Sequence, residues 1–176
     1  MTEKIFVSNF MTTIRIALIT DLPAIVAIYN QAVPTQRSTA NTTPVTVDGR
    51  KTWFLEHDPQ KHPIFVAEVN GQVAGWCSLS VYRPGRMALR FTAEISIYID
   101  AAFQRMGIGS ALISHALEAC PRLEIKNVVA VVIDQNEGSR KLLENLGFLQ
   151  WGHLPRVLDF DGWECGEFYY GKRIED

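Results

Sequence analysis

Two groups of residues in this 176-residue chain have the types and spacing to do chemistry. The first is Phe103-Gln104-Arg105-Met106-Gly107-Ile108-Gly109-Ser110-Ala111-Leu112, a basic, glycine-containing turn that joins an alternating, strand-like run to a helix. Unpaired N–H groups at a helix N-terminus favour a bound anion, as does the positive end of the helix dipole, and glycine lets phosphate oxygens approach without a Cβ in the way. Taken alone, the two glycines read equally as a pyrophosphate cradle and as an ordinary uncrowded strand-to-helix turn. A dinucleotide fingerprint needs a third glycine where Leu112 stands, and a nucleoside-triphosphate loop needs Gly-Lys-Ser/Thr, which is absent. The second group centres on Glu94, in Thr92-Ala93-Glu94-Ile95-Ser96-Ile97-Tyr98-Ile99. A carboxylate there has the chemistry of a general base, although spacing alone reads it as a polar residue on an exposed strand face.

The elements that must position these groups follow from periodicity. Ile14-Arg15-Ile16 alternates as a short strand, and Thr20 is placed to cap a helix in which Leu22, Ile25, Val26 and Tyr29 recur at helical spacing and which should end before Pro34. Pro34 to Pro44 is rich in Thr, Ser, Gln and Asn without periodicity and reads as a loop. A shorter helix is expected over 48–57, then a hairpin of 63–69 and 72–82 around Asn70-Gly71. A strand over 89–99, the cradle helix over 107–120, a nearly all-apolar strand over 127–133 and a helix over 138–146 follow. The stretch 148–173, with Asp161-Gly162 at its middle, reads as a closing antiparallel hairpin. This order predicts an α/β (α+β) chain with a mixed sheet flanked by helices.

Composition narrows the partners. With 47% hydrophobic residues the chain can bury a sizeable single core. Seventeen basic against nineteen acidic residues, a net charge of −2, supply no block of positive charge for a nucleic acid. Cys77, Cys120 and Cys165 form neither a disulfide framework nor a zinc motif, a pattern that suits the reducing cytoplasm. No apolar run reaches the roughly 18 residues of a membrane span, and the N-terminus does not read as a signal peptide. His57 and His62 lack metal-ligand spacing, and His115 lies on the apolar side of the cradle helix, so no metal is expected.

The pattern Gln104-x-x-Gly107-x-Gly109 after the Glu94 strand resembles the acyl-CoA signature of the GNAT superfamily of N-acetyltransferases. From about Ile14 to Lys172 the chain is most similar to the phosphinothricin acetyltransferase-like branch. It carries, in order, Leu22-Pro23-Ala24-Ile25-Val26-Ala27-Ile28-Tyr29-Asn30, Trp53-Phe54, Phe65-Val66-Ala67-Glu68, Gly75-Trp76, Asn136, Ser139, Leu146-Gly147-Phe148 and Gly152-His153-Leu154-Pro155. Residues 1–12 match nothing in that family and are expected to be a flexible extension before a single domain over 13–176.

The resemblance implies a GNAT fold, with a mostly antiparallel sheet whose one parallel pair splays around acyl-CoA. It also implies an acetyl-CoA-dependent enzyme that acetylates the primary amine of a small molecule, an amino acid or an analogue such as phosphinothricin or methionine sulfoximine. The alternatives it leaves are a protein N-terminal or lysine acetyltransferase and a non-catalytic acyl-CoA sensor. By the same resemblance, the backbone of Ile97, Tyr98 and Ile99 bonds the pantetheine arm, Gln104, Arg105, Met106, Gly107, Ile108, Gly109 and Ser110 hold the pyrophosphate, and Asn136 and Ser139 approach the CoA. Glu94 becomes the general base; Arg83 and Arg90 fall where the branch places basic residues near the acceptor, and Tyr82, Ser78 and Trp76 are candidates to line its pocket. A homodimer in which residues after Leu154 help close the pocket is a further implication. One position departs from the family: Leu143 stands where the branch carries His and the wider superfamily Tyr, the residue read as general acid for the leaving thiolate.

Overall fold

The computed structural model describes residues 3–7 and 10–174. Eight strands form one sheet in the order β1-β2-β3-β4-β5-β6-β8-β7. The strands are β1 (Glu3–Val7), β2 (Phe10–Ile16), β3 (Ile64–Val69), β4 (Gln72–Val81), β5 (Thr92–Ile99), β6 (Asn127–Ile133), β7 (Leu149–Phe160) and β8 (Trp163–Arg173). The longer helices are α1 (Leu22–Ala32), α2 (Val47–Leu55), α3 (Ile108–Ala119) and α4 (Glu137–Asn145). Every neighbouring pair of strands is antiparallel except β5 and β6. This is the mixed α/β arrangement expected from the element order.

Most boundaries follow local chemistry. Asn70 and Gly71 both take positive φ, +52° and +79°, which the two-residue turn between β3 and β4 requires. Asp161 and Gly162 do the same between β7 and β8. One expectation is corrected. Thr20 does not cap α1; a 3₁₀ turn over Ile19–Asp21 precedes the helix, and the Asp21 carboxylate accepts the Leu18 N–H at 2.7 Å while pairing with Arg15 at 2.7 Å. Residues 3–7 pair as a strand with Phe10–Ile16, from Glu3 opposite Ile14 to Val7 opposite Phe10. Both segments are rich in β-branched and aromatic residues. Met1, Thr2, Ser8 and Asn9 lie outside the described residues.

The sheet packs on both faces. Under α3, the side chains of Phe65, Leu79, Ala93, Ile95, Leu112, Ile113, Val128 and Val132 build an aliphatic core that also takes in Leu143 and Phe148. On the opposite face, α1 and α2 cover a smaller, aromatic cluster of Tyr29, Trp76, Trp53, Phe54 and Tyr98 with Ile25, Ile28 and Val66. Trp76 belongs to that cluster, stacked on Tyr98 with ring centroids 4.8 Å apart and donating its indole N–H to the Ile25 carbonyl.

Candidate functional site

The site begins where β5 and β6 part. Their ladder runs only from Thr92 opposite Asn127 to Glu94 opposite Val129. Beyond Glu94, β5 keeps β4 as partner as far as Ile99 opposite Gly75, while β6 keeps β8 as far as Ile133 opposite Glu167. The edge of β5 that faces β6 from Ile95 onward is therefore unpaired main chain, able to bond an extended ligand as another strand would. A cleft of about 1150 Å³ fills the gap.

The glycine turn closes one end of this cleft. Arg105 and Gly107 take positive φ, +61° and +82°, and Gly107 is the N-cap of α3 with no side chain bonded to the exposed N–H groups. The first helical bond is Ala111 N–H to Gly107 O, so the N–H groups of Ile108, Gly109 and Ser110 have no intrahelical acceptor. A phosphate fits there by charge and by donor count. Gly109 has a second reason to be glycine: a Cβ there would stand 3.2 Å from Leu142 Cδ2 and 3.7 Å from Ile97 Cδ1, so it lets α3 approach α4 and β5 closely.

Glu94 stands at the other end. Cross-strand register puts Glu94, Ser96 and Tyr98 on one face with Ser80, Ser78 and Trp76, and Ile95, Ile97 and Ile99 on the other with Leu79, Cys77 and Gly75. The Glu94 carboxyl is held above the ordinary glutamate pKa, chiefly by burial and then by the charge of Glu167, whose own carboxyl is raised by burial. Both line the cleft, and neither accepts a hydrogen bond from a described residue. Tyr98 is also pushed up, by burial first and the nearby Tyr29 second; its hydroxyl donates to the Ser38 carbonyl at 3.0 Å.

The structure brings together most of the residues named from the sequence. Glu94, Ile97, Tyr98, Ile99, Gln104, Arg105, Gly107, Ile108, Gly109, Ser110, Asn136 and Ser139 all line the cleft; Met106 packs instead against the α3 core. Asn136 has both ends of its amide engaged: Oδ1 caps α4 by accepting the Ser139 N–H, and Nδ2 donates to Ser38 Oγ at 3.1 Å. Ser38 is thus held from both sides of the splay, by Tyr98 and by Asn136, so that the 34–44 loop crosses the cleft.

The five residues expected to hold the acceptor or line its pocket, Arg83, Arg90, Tyr82, Ser78 and Trp76, do not line the cleft. Ser78 is buried within the sheet. The Arg90 guanidinium lies 4.1 Å over the Phe91 ring and donates to the Met87 carbonyl. Arg83 lies over the Tyr82 ring, near enough to Tyr169 that it and Tyr82 act on the Tyr169 phenol electrostatically. Glu94 and Glu167 act on the same phenol. The sequence reading missed Glu167, whose position depends on the β6–β8 register; Ser38 and Thr39 come from the 34–44 loop, Thr39 within 2.6 Å of the Tyr29 hydroxyl. Leu143 is 3% exposed; it forms part of the core and of the cleft wall and gives α4 no proton donor at that point. His115 sits edge-on to Phe65 at a core boundary, and no metal-binding group of side chains exists among the described residues.

Comparison with known proteins gives a consistent result. The acetyltransferase (GNAT) family profile matches residues 25–148. The chain is 43% identical over 151 residues, 85% of its length and 91% of the relative's, to YwnH of Bacillus subtilis (strain 168), which is provisionally named a phosphinothricin acetyltransferase. It is 34% identical over 152 residues, 86% of its length and 88% of the relative's, to a protein of Salmonella typhimurium (strain LT2) named L-methionine sulfoximine/L-methionine sulfone acetyltransferase. Among solved structures, the phosphinothricin acetyltransferase of Sinorhizobium meliloti in complex with AcCoA superimposes with a TM-score of 0.87 at 28% identity, covering 93% of this chain and 88% of that one.

Proposed function

The chain belongs to the acetyltransferase (GNAT) family, and on that premise we propose that it moves the acetyl group of acetyl-CoA to the primary amine of a small amino-acid-like acceptor, with Glu94 as general base. The observation that carries this reading is one continuous cleft that runs from the bare N-terminus of α3, along the unpaired edge of β5, to Glu94. The names of the relatives supply the acceptor class, amino-acid analogues bearing a sulfone, sulfoximine or phosphinate beside a free amine.

In this reading, the N–H groups of Ile108, Gly109 and Ser110 and the Arg105 side chain hold the pyrophosphate, and the β5 edge aligns the pantetheine. An alkylamine with a pKa of about 10 is almost wholly protonated at pH 7, so a carboxylate that accepts its proton raises the reactive fraction. Burial and Glu167 keep Glu94 a stronger base than a solvated glutamate. A β5 main-chain N–H facing the cleft would stabilise the tetrahedral oxyanion. Arg83, which with Glu94 acts on the Tyr169 phenol, would hold the acceptor's acidic group by paired hydrogen bonds.

Two further features belong to the proposal. β7 is an edge strand that exposes Leu149, Trp151, Leu154 and Val157, with Trp163 on β8, which supports a homodimer through this ribbon. Three free, buried cysteines suit a reducing cytoplasm. The test of the activity is a free-thiol assay with acetyl-CoA and a panel of methionine sulfone, methionine sulfoximine, phosphinothricin, plain amino acids, polyamines and peptides. Release with the first three supports the reading. Release only with peptides would replace it by a protein acetyltransferase, and tight acetyl-CoA binding without any release would make the protein a sensor.

A further inference from the structure

The acceptor face holds a histidine that the proposed reaction does not use. His57 lies two residues beyond α2, half-buried, with its ring edge-on to Trp53. Its Nδ1 is 2.7 Å from the Trp53 carbonyl oxygen and its Nε2 is 3.0 Å from Ser80 Oγ. A carbonyl oxygen can only accept, so Nδ1 carries the proton; in the neutral ring Nε2 is then an acceptor, and the Ser80 hydroxyl donates to it.

Ser80 stands directly opposite Glu94 in the β4–β5 pair. Side chains so placed have Cβ atoms about 5 Å apart, within reach of a glutamate carboxyl. Glu94 nevertheless accepts no hydrogen bond from a described residue, and the hydroxyl nearest it in register has its proton turned toward α2. We propose that His57 is a positioning residue for Glu94: by taking the Ser80 proton it keeps that donor away from the carboxylate and leaves Glu94 bare for the acceptor amine.

The surrounding charges fit this role. Burial lowers the His57 pKa, against the opposing pull of the Trp53 carbonyl and Glu56, so the neutral ring prevails at pH 7. His62 lies close enough to His57 to feel its charge, beside Asp58 and Lys61. Around Glu94 the groups are Glu167 and Tyr169 on β8 and Tyr98 on its own strand, with Tyr82 and Arg83 beyond Tyr169. On acidification His57 gains a proton on Nε2 and donates to Ser80. The hydroxyl is then released to bond Glu94, which favours the charged carboxylate and weakens the base.

The inference rests on Glu94 as the base, but its test does not depend on turnover. The Glu94 carboxyl is titrated by ¹³C NMR in wild type, His57→Phe, Ser80→Ala and the double variant, with thiol release followed alongside. Phenylalanine keeps the ring against Trp53 and frees the Ser80 proton. We expect it to lower the Glu94 pKa by about one unit and turnover by roughly 3- to 10-fold, with KM for acetyl-CoA unchanged. Ser80→Ala alone should leave Glu94 near wild type, and adding it to His57→Phe should restore both readings. In wild type, the Glu94 carbon should show a second inflection at the His57 titration, and Ser80→Ala should remove it, which needs no substitution at His57. A His57→Phe defect that persists without the Ser80 hydroxyl would make the histidine purely structural. An unmoved Glu94 titration in all four proteins would overturn the proposal outright. Full turnover in Glu94→Gln would instead remove the base assignment while leaving the NMR result to stand or fall alone.

Discussion

β5 presents Ile95 and Ile97 to the core beneath α3 on one face and Glu94, Ser96 and Tyr98 on the other, and residues of both faces border the cleft along its free edge. The first side is aliphatic and closely packed. Its two cysteines, Cys77 and Cys120, are pushed well above the ordinary thiol pKa by burial, Cys120 to about 12, and are inert. The second side carries aromatic rings, hydroxyls and two carboxylates whose ionised forms are disfavoured. A period of two along one strand thus separates what holds the fold from what does the chemistry. Substitutions on the two faces should fail in different ways.

The largest effect should come from the packed face. Phe65 is fully buried, and Phe65→Ala should cost about 3–5 kcal/mol of stability, read as a lower denaturation midpoint. Acetyl-CoA affinity of the remaining folded protein should be unchanged. A folded variant with weakened CoA binding and unchanged midpoint would erase the distinction between the faces.

On the cleft face the signs reverse. Glu94→Gln should lower turnover at pH 7 by about 100-fold or more, with acetyl-CoA affinity retained. Because the folded-state pKa of Glu94 is raised, protonation favours the folded form, and the destabilisation appears as pH rises above the unfolded value and is complete above the folded one. At pH 7 the glutamine variant should therefore be more stable than wild type, by thermal or chemical denaturation, and less active. The acid limb of kcat/KM in wild type should lie above the range of an ordinary glutamate. An equally active variant would make Glu94 part of the scaffold.

Much of this division was legible in the sequence. The hairpin at Asn70-Gly71, the glycine turn before α3 and the alternation of 92–99 are local signals, and each leads to the element it predicts. What was not legible depends on pairing between distant segments. Glu167 reaches the cleft only because β8 inserts between β6 and β7 and sets it opposite Ile133. His57 matters only because the chain just after α2 brings its ring to Ser80, 23 residues further on. Arg83 takes a positive φ and Arg90 follows the 3₁₀ turn Met87–Leu89, and each guanidinium lies over a local aromatic ring, Tyr82 and Phe91.

A smaller effect tests the turn where the two faces meet. Gly107 has φ of +82°, so Gly107→Ala imposes left-handed strain of roughly 1–2 kcal/mol without a new charge. Calorimetry should show acetyl-CoA binding weakened by about 10-fold, and the acceptor KM should move far less. Equal weakening of both would mean that the turn shapes the whole cleft instead of one end of it.

The smallest effect is expected at Leu143, which belongs to both faces, as core and as cleft wall. A CoA thiol with a pKa of about 8.5 leaves as thiolate without much help, so a missing acid costs little at neutral pH. Leu143→His would supply an imidazolium only below about pH 6.5, and falling pH also moves Glu94, raised by burial, toward its protonated, inactive form. Turnover of the folded variant should therefore stay within about 3-fold of wild type from pH 7 to 9 and gain only near pH 6. Stability should fall by about 1–3 kcal/mol, because a polar ring replaces a core leucine. A gain of 10-fold or more at pH 8 would show that protonation of the departing sulfur limits the wild-type enzyme, and that the apolar wall at this position is the defect that restrains it.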